Sequence, residues 1–123
     1  MGRGRKVRRS LARGGTGPAR RLNETLSGWS GVRITPMFGR FGYFIGERLF
    51  ACFPIRDRDR DLWIRLAPAD QRHALADRRI RPHRRFAARG WVELDLEEPE
   101  DLARALRWLH RAWMVAQAGG GES

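Results

Sequence analysis

The sequence is short of several things. Its 123 residues include one cysteine, one tyrosine and one lysine. A single Cys52 excludes an intramolecular disulfide and any thiolate zinc cluster. The near-absence of lysine is more telling. All but Lys6 of the 25 basic side chains are arginine, whereas surfaces selected for phosphate usually keep some lysine as a point charge. Together with abundant alanine and glycine this is a compositional bias, and the formal charge of +11 is weak evidence of a nucleic-acid partner. No stretch approaches the roughly 20 apolar residues of a membrane span. The cationic start has no apolar run behind it to make a secretory signal. The cytoplasm is the expected compartment.

The charge is unevenly placed. Residues 1–21 carry eight basic side chains and no acid, while the remainder carries 17 basic and 14 acidic, a net +3. Residues 1–21 are low in complexity, with the cluster Gly14-Gly15-Thr16-Gly17-Pro18, and read as a disordered tail. The expected domain is 22–117, followed by a flexible 118–123. Its 41% apolar content and six Phe and five Trp suffice for a core without staples.

A short helix is predicted from about Ala19 to Ser27, with Leu22 and Leu26 inward. The period then falls to two. Val32, Ile34 and Pro36 alternate in an edge-like strand, Gly39-Arg40-Phe41-Gly42 reads as a turn, and Tyr43-Phe44-Ile45 as a second strand. Gly46-Glu47 fits a tight hairpin. The third strand, Leu49 to Phe53, is apolar on both faces and so central. Asp61 to Leu66 is a fourth. Pro68 opens a helix to about Asp77 or Arg78. Ile80 to Ala87 is ambiguous. Trp91 to Leu96 is a clean strand, with Val92, Leu94 and Leu96 inward and Trp91, Glu93 and Asp95 outward. A last helix opens at Pro99 behind Glu97 and Glu98, and Leu102, Leu106, Leu109 and Trp113 form its apolar stripe. Trp108 and Val115 fall off that stripe; they should be partly exposed or meet something other than the sheet. The order α-β-β-β-β-α-β-β-α predicts an α+β fold, a two-layer sandwich with a largely antiparallel sheet and helices on one face.

Catalytic constellations are not apparent. His73, His83 and His110 lack ligand spacing and read as surface or rim residues. Cys52 reads as a small buried hydrophobe. Asp57, Asp59 and Asp61 begin like a calcium loop, but Leu62 and Pro68 stand where it needs Gly and Glu. No glycine-rich loop leads into Lys-Ser/Thr. The paired Glu97 and Glu98 are explained as helix-start charges. Arg-rich arms can bind nucleic acid by counterion release. The candidate contacts are Arg3, Arg5, Lys6, Arg8, Arg9 and Arg13 in the tail, with Arg78, Arg79, Arg81, Arg84 and Arg85 in a second basic run that spans 78–89 and ends on Arg89.

The segment Pro36-Met37-Phe38-Gly39-Arg40-Phe41-Gly42-Tyr43-Phe44-Ile45-Gly46-Glu47-Arg48-Leu49-Phe50-Ala51 resembles the signature of the TfoX/Sxy N-terminal domain family. Asp61 to Leu66, Pro68-Ala69-Asp70, Gly90 to Leu94 and Asp101 to Arg104 continue the likeness over about residues 22–117. Arg40 stands at the family's usual second glycine. The resemblance implies the same two-layer fold, no cofactor and no catalytic residue. Family members carry a second, helical domain and regulate DNA-uptake competence; with the chain ending at Ser123, competence regulation itself is not expected. The signature positions Met37, Phe38, Gly39, Gly42, Gly46, Gly90 and Trp91 are read as structural. The expectation is a non-catalytic regulatory or protein-interaction module with an unidentified protein partner, linked to transcription or competence through the resemblance. A homodimer through Trp108 and Val115 is the interaction the pattern suggests. Nucleic-acid binding through the two Arg clusters is the alternative.

Overall fold

Proline and glycine set most of the boundaries. The computed structural model describes residues 17–119. Helix α1 (Pro18–Leu26) starts on Pro18, where the missing N–H costs nothing, and buries Ala19, Leu22 and Leu26. The tail boundary expected at 21 therefore falls inside a helix. Four strands follow as a meander: β1 (Val32–Met37), β2 (Arg40–Ile45), β3 (Arg48–Pro54) and β4 (Asp61–Arg65). Helix α2 (Pro68–Ala74), a short β5 (Ile80–Pro82), a 3-10 turn at Ala87–Arg89, β6 (Trp91–Asp95) and helix α3 (Pro99–Gly119) complete the order.

The sheet is open, antiparallel and six-stranded, ordered β1-β2-β3-β4-β6-β5. This is the expected α+β architecture. Pro36 and Pro82 both sit in edge strands, where a missing ladder donor is tolerated.

Alternation assigns the two faces. Phe41 and Tyr43 share one face with Ala51 and Phe53, and Leu62 and Ile64 with Leu94 and Val92. All eight are buried in one core with Ala105, Leu109 and Ala112 of α3. Helix α1 closes the same side: the Tyr43 hydroxyl donates to Asn23 Oδ1 at 2.7 Å, and both groups are buried. Burial pushes the Tyr43 phenol pKa up, so it stays a donor.

Two boundaries and one exposure differ from expectation. The β1–β2 turn is tighter than predicted: it is made by Phe38 and Gly39, and Arg40 already belongs to β2. Helix α2 stops at Ala74, with Leu75 as its cap. Glu93 points away from the helices, as alternation requires, yet is only 1% exposed.

Candidate ligand cavity on the open face of the sheet

The face without helices carries Arg40, Gly42 and Phe44 from β2, Cys52 from β3, Trp63 from β4 and Trp91 and Glu93 from β6. Two segments rise over it. One is the β1–β2 turn. The other is residues 83–90, folded back by Gly90, whose backbone at φ 95° lies so close to Leu66 that a Cβ would stand 2.3 Å from the Leu66 carbonyl oxygen. Between them lies a cavity of about 350 Å³. Leu49, Cys52, Trp63 and Trp91 line it from the sheet, Met37 and Phe38 from the turn, and Phe86 and Arg89 from the other segment.

The polar parts of this site are tightly held. Arg40 lies over the Trp63 ring at 3.7 Å. It also donates to the Asp61 carboxylate at 3.3 Å and to the backbone carbonyls of Cys52 and Asp61. Trp63 Nε1 donates to the same Asp61 carboxylate at 2.8 Å. The Arg40 Nε–H is buried without a partner. Burial pushes the Cys52 thiol up, against a smaller lowering pull from Arg40, so the sulfur stays a neutral thiol.

His83 is not the rim residue the sequence suggested. It is 3% exposed and meets Trp63 edge-on at 4.3 Å, with Phe86 at 5.1 Å. Its Nδ1 accepts the backbone N–H groups of Arg85 and Phe86 at 3.0 and 3.1 Å. Two donors at Nδ1 require the neutral tautomer protonated at Nε2. Burial, with neighbouring arginines, lowers its pKa against the raising charge of Glu93. The imidazole thus braces the 83–90 segment against the floor.

The basic run is largely spent. Arg84 binds Glu93 at 3.0 Å, and Arg81 binds Glu93 and Asp95, each at 3.0 Å. Burial raises the Glu93 carboxyl, but the hydrogen bonds and charge of Arg84, with the charge of Arg81, more than offset it and bring it to about 2. Arg79 binds the buried Asp101 at 2.6 Å. Asp101 also accepts the Glu97 and Glu98 backbone N–H groups and Arg104. Its carboxyl, raised by burial, is brought down to about 2 by Arg79 and those N–H groups. Asp101, not the Glu97-Glu98 pair, therefore closes the start of α3. Of the 78–89 run proposed to contact nucleic acid, Arg78, Arg85 and Arg89 are without an acid partner among the described residues. Arg3, Arg5, Lys6, Arg8, Arg9 and Arg13 lie outside the described residues.

Trp108 is also corrected as a dimer contact. It is 5% exposed and covered by α2, whose His73 ring meets it edge-on at 5.4 Å. Val115 is exposed. Gly39 and Gly46 occupy turns at positive φ, as read. Gly42 does not: it lies within β2, and a Cβ there would meet Met37 Sδ at 2.9 Å and Leu49 Cδ1 at 3.1 Å. It is small so that two cavity-lining side chains can close over it.

Residues 51–112 match the family model described as Luciferase domain. That is just over half of the chain. The chain belongs to the Luciferase domain family. No curated protein matches it. The match overturns the TfoX/Sxy resemblance, and the link to competence drawn from it falls too. The quoted signature lies almost wholly before residue 51, in the hairpins of a β-meander, and Gly and aromatic residues at hairpin turns describe a local shape shared by many sheets. The Luciferase domain match instead runs from β3 to α3. It takes in Cys52, Trp63, His83, Phe86, Arg89 and Trp91 and leaves the β1–β2 side of the cavity outside.

Proposed function

We propose that this Luciferase domain is a small-molecule-binding module, and that the open face of its sheet takes a flat, largely apolar ligand. The cavity carries this reading. Its volume of about 350 Å³ suits a small ligand, and it follows the usual pattern of apolar walls with few polar groups. The indoles of Trp63 and Trp91 offer flat surfaces, and the guanidinium groups of Arg40, stacked on Trp63, and Arg89 are the charged parts of the lining. At the mouth, Phe38 is 95% exposed and held at φ 49°, a conformation uncommon for a bulky residue. A ligand covered by this ring would shield apolar surface that now faces water.

The reading is one of binding rather than chemistry. The two groups near the floor that could act on a substrate, Cys52 and His83, are a neutral buried thiol and a neutral braced imidazole. Regulation through a protein partner would then follow occupancy of the cavity. The cytoplasm stays the proposed compartment; the unpaired Cys52 supports it. Among the described residues no helix is long and apolar enough to cross a membrane. Nucleic-acid binding is the weaker proposal: half of the 78–89 run, Arg79, Arg81 and Arg84, is bound to acids, and the tail arginines Arg3 to Arg13 lie outside the described residues. The family description favours a second reading, in which what binds here is also converted; turnover of a bound compound would separate the two.

Titration with N-phenyl-1-naphthylamine, a neutral fluorophore brightened by apolar sites, tests the proposal. Saturable binding is expected. Phe38→Ala should weaken it about fivefold without changing the melting temperature, and Cys52→Leu, which fills the floor, should abolish it. No binding, or binding indifferent to both variants, overturns the reading.

A further inference from the structure

A second hollow, of about 290 Å³, adjoins the cavity and shares Leu49 and Arg89 with it. It lies at the end of the sheet where β3 begins and β4 ends, beside the last turn of α3. Arg48, Arg65 and Arg89 line it together with apolar and small residues, and no acid does. Arg48 is engaged: it donates to the Gly119 carbonyl at 2.7 Å and so quiets the negative end of α3. Arg65 and Arg89 are exposed and make no ion pair, side-chain hydrogen bond or ring contact among the described residues. They contrast with Arg40, Arg79, Arg81, Arg84, Arg104 and Arg111, each of which holds an acid. The register sets Arg65 opposite Trp91, on the cavity side of the sheet. Leu49 and Arg89 thus stand between an apolar cavity and a hollow whose two exposed guanidinium groups have no acid partner among the described residues.

We propose that the ligand is amphipathic, with a flat apolar body in the cavity and one anionic group, a carboxylate or sulfonate, held by Arg65 and Arg89 in the adjoining hollow. The guanidinium fork suits such oxyanions, and no acid lines the hollow to compete for it. This rests on the reading of the cavity given above.

A matched pair of probes separates the two claims. The sulfonate 8-anilinonaphthalene-1-sulfonate has the same fused rings and phenyl group as the neutral N-phenyl-1-naphthylamine. At low salt the sulfonate should bind about tenfold tighter, and its advantage should shrink as salt rises. The double variant Arg65→Gln/Arg89→Gln should bring the two probes to equal affinity; because Arg89 also lines the cavity, the readout is the ratio of the two probes and not either affinity alone. The double variant Arg78→Gln/Arg85→Gln removes equal charge elsewhere and should keep the advantage. If the neutral probe binds but the sulfonate is no tighter, or if its advantage survives loss of Arg65 and Arg89, the anionic subsite is wrong and the apolar cavity stands. If neither probe binds, both readings fall.

Discussion

Glu93 and His83 have opposite fates from those their surroundings in sequence suggest. In Trp91-Val92-Glu93-Leu94-Asp95, alternation puts Glu93 on the face away from the helices, which is correct, and that face is ordinarily solvated. What buries it is the 83–90 segment, which lies twenty-odd residues beyond β4 in the chain and returns over the sheet. No local pattern announces that return except Gly90. Its left-handed φ and the 2.3 Å approach to the Leu66 carbonyl leave no room for a side chain. Gly90→Ala is therefore expected to destabilise the domain by at least about 2 kcal/mol, measured by urea unfolding. The same variant should weaken N-phenyl-1-naphthylamine binding, since Phe86 and Arg89 ride on the segment it holds.

At the scale of elements, most of the order was legible because each period is sustained: two through β1–β4 and β6, and 3.6 through α3. The orientation of α3 was not. Helical spacing put Leu102, Leu106, Leu109 and Trp113 at the centre of its buried stripe, with Ala105, Ala112 and Ala116 beside it. In the folded domain Ala105, Leu109, Ala112 and Ala116 are buried, while Leu102, Leu106 and Trp113 are only partly so. Small residues let the helix approach the sheet closely, and the bulky ones flank the contact. That rotation carries Trp108 inward, under α2. Two ion pairs fasten α2 and the turn after it there, Arg111 to Asp70 at 3.1 Å in the helix and Arg104 to Asp77 at 2.8 Å in the turn. Trp108→Ala should thus cost about 3–5 kcal/mol of stability, read by thermal or denaturant unfolding. Light scattering should show no change in association state, because the indole does not reach the surface.

For the molecule as a whole, the two buried carboxylates make stability depend on acid. Glu93 and Asp101 each titrate at about 2 when folded, against 4.5 and 3.8 when unfolded. Groups depressed in this way contribute fully above about pH 5, and the contribution is lost as pH falls toward about 2. Unfolding free energy should begin to fall below about pH 6.5, where unfolding lets the neutral His83 take up a proton, and drop further across the carboxylate window. Glu93→Gln should flatten the drop and cost about 3 kcal/mol at neutral pH, since it leaves Arg81 and Arg84 facing an uncharged group. The two-layer α+β fold was legible from the order of elements; the cavity was not, since its walls come from three stretches far apart in the chain. The borders of the sheet carry a different consequence. An open sheet invites a foreign strand to add at either edge, the route by which many such proteins form fibres. Here each border strand contains a proline, Pro36 in one and Pro82 in the other, and the second border is three residues long with an arginine in it. Both borders resist extension, so this molecule can keep a broad apolar hollow open to water while its backbone offers aggregation no template.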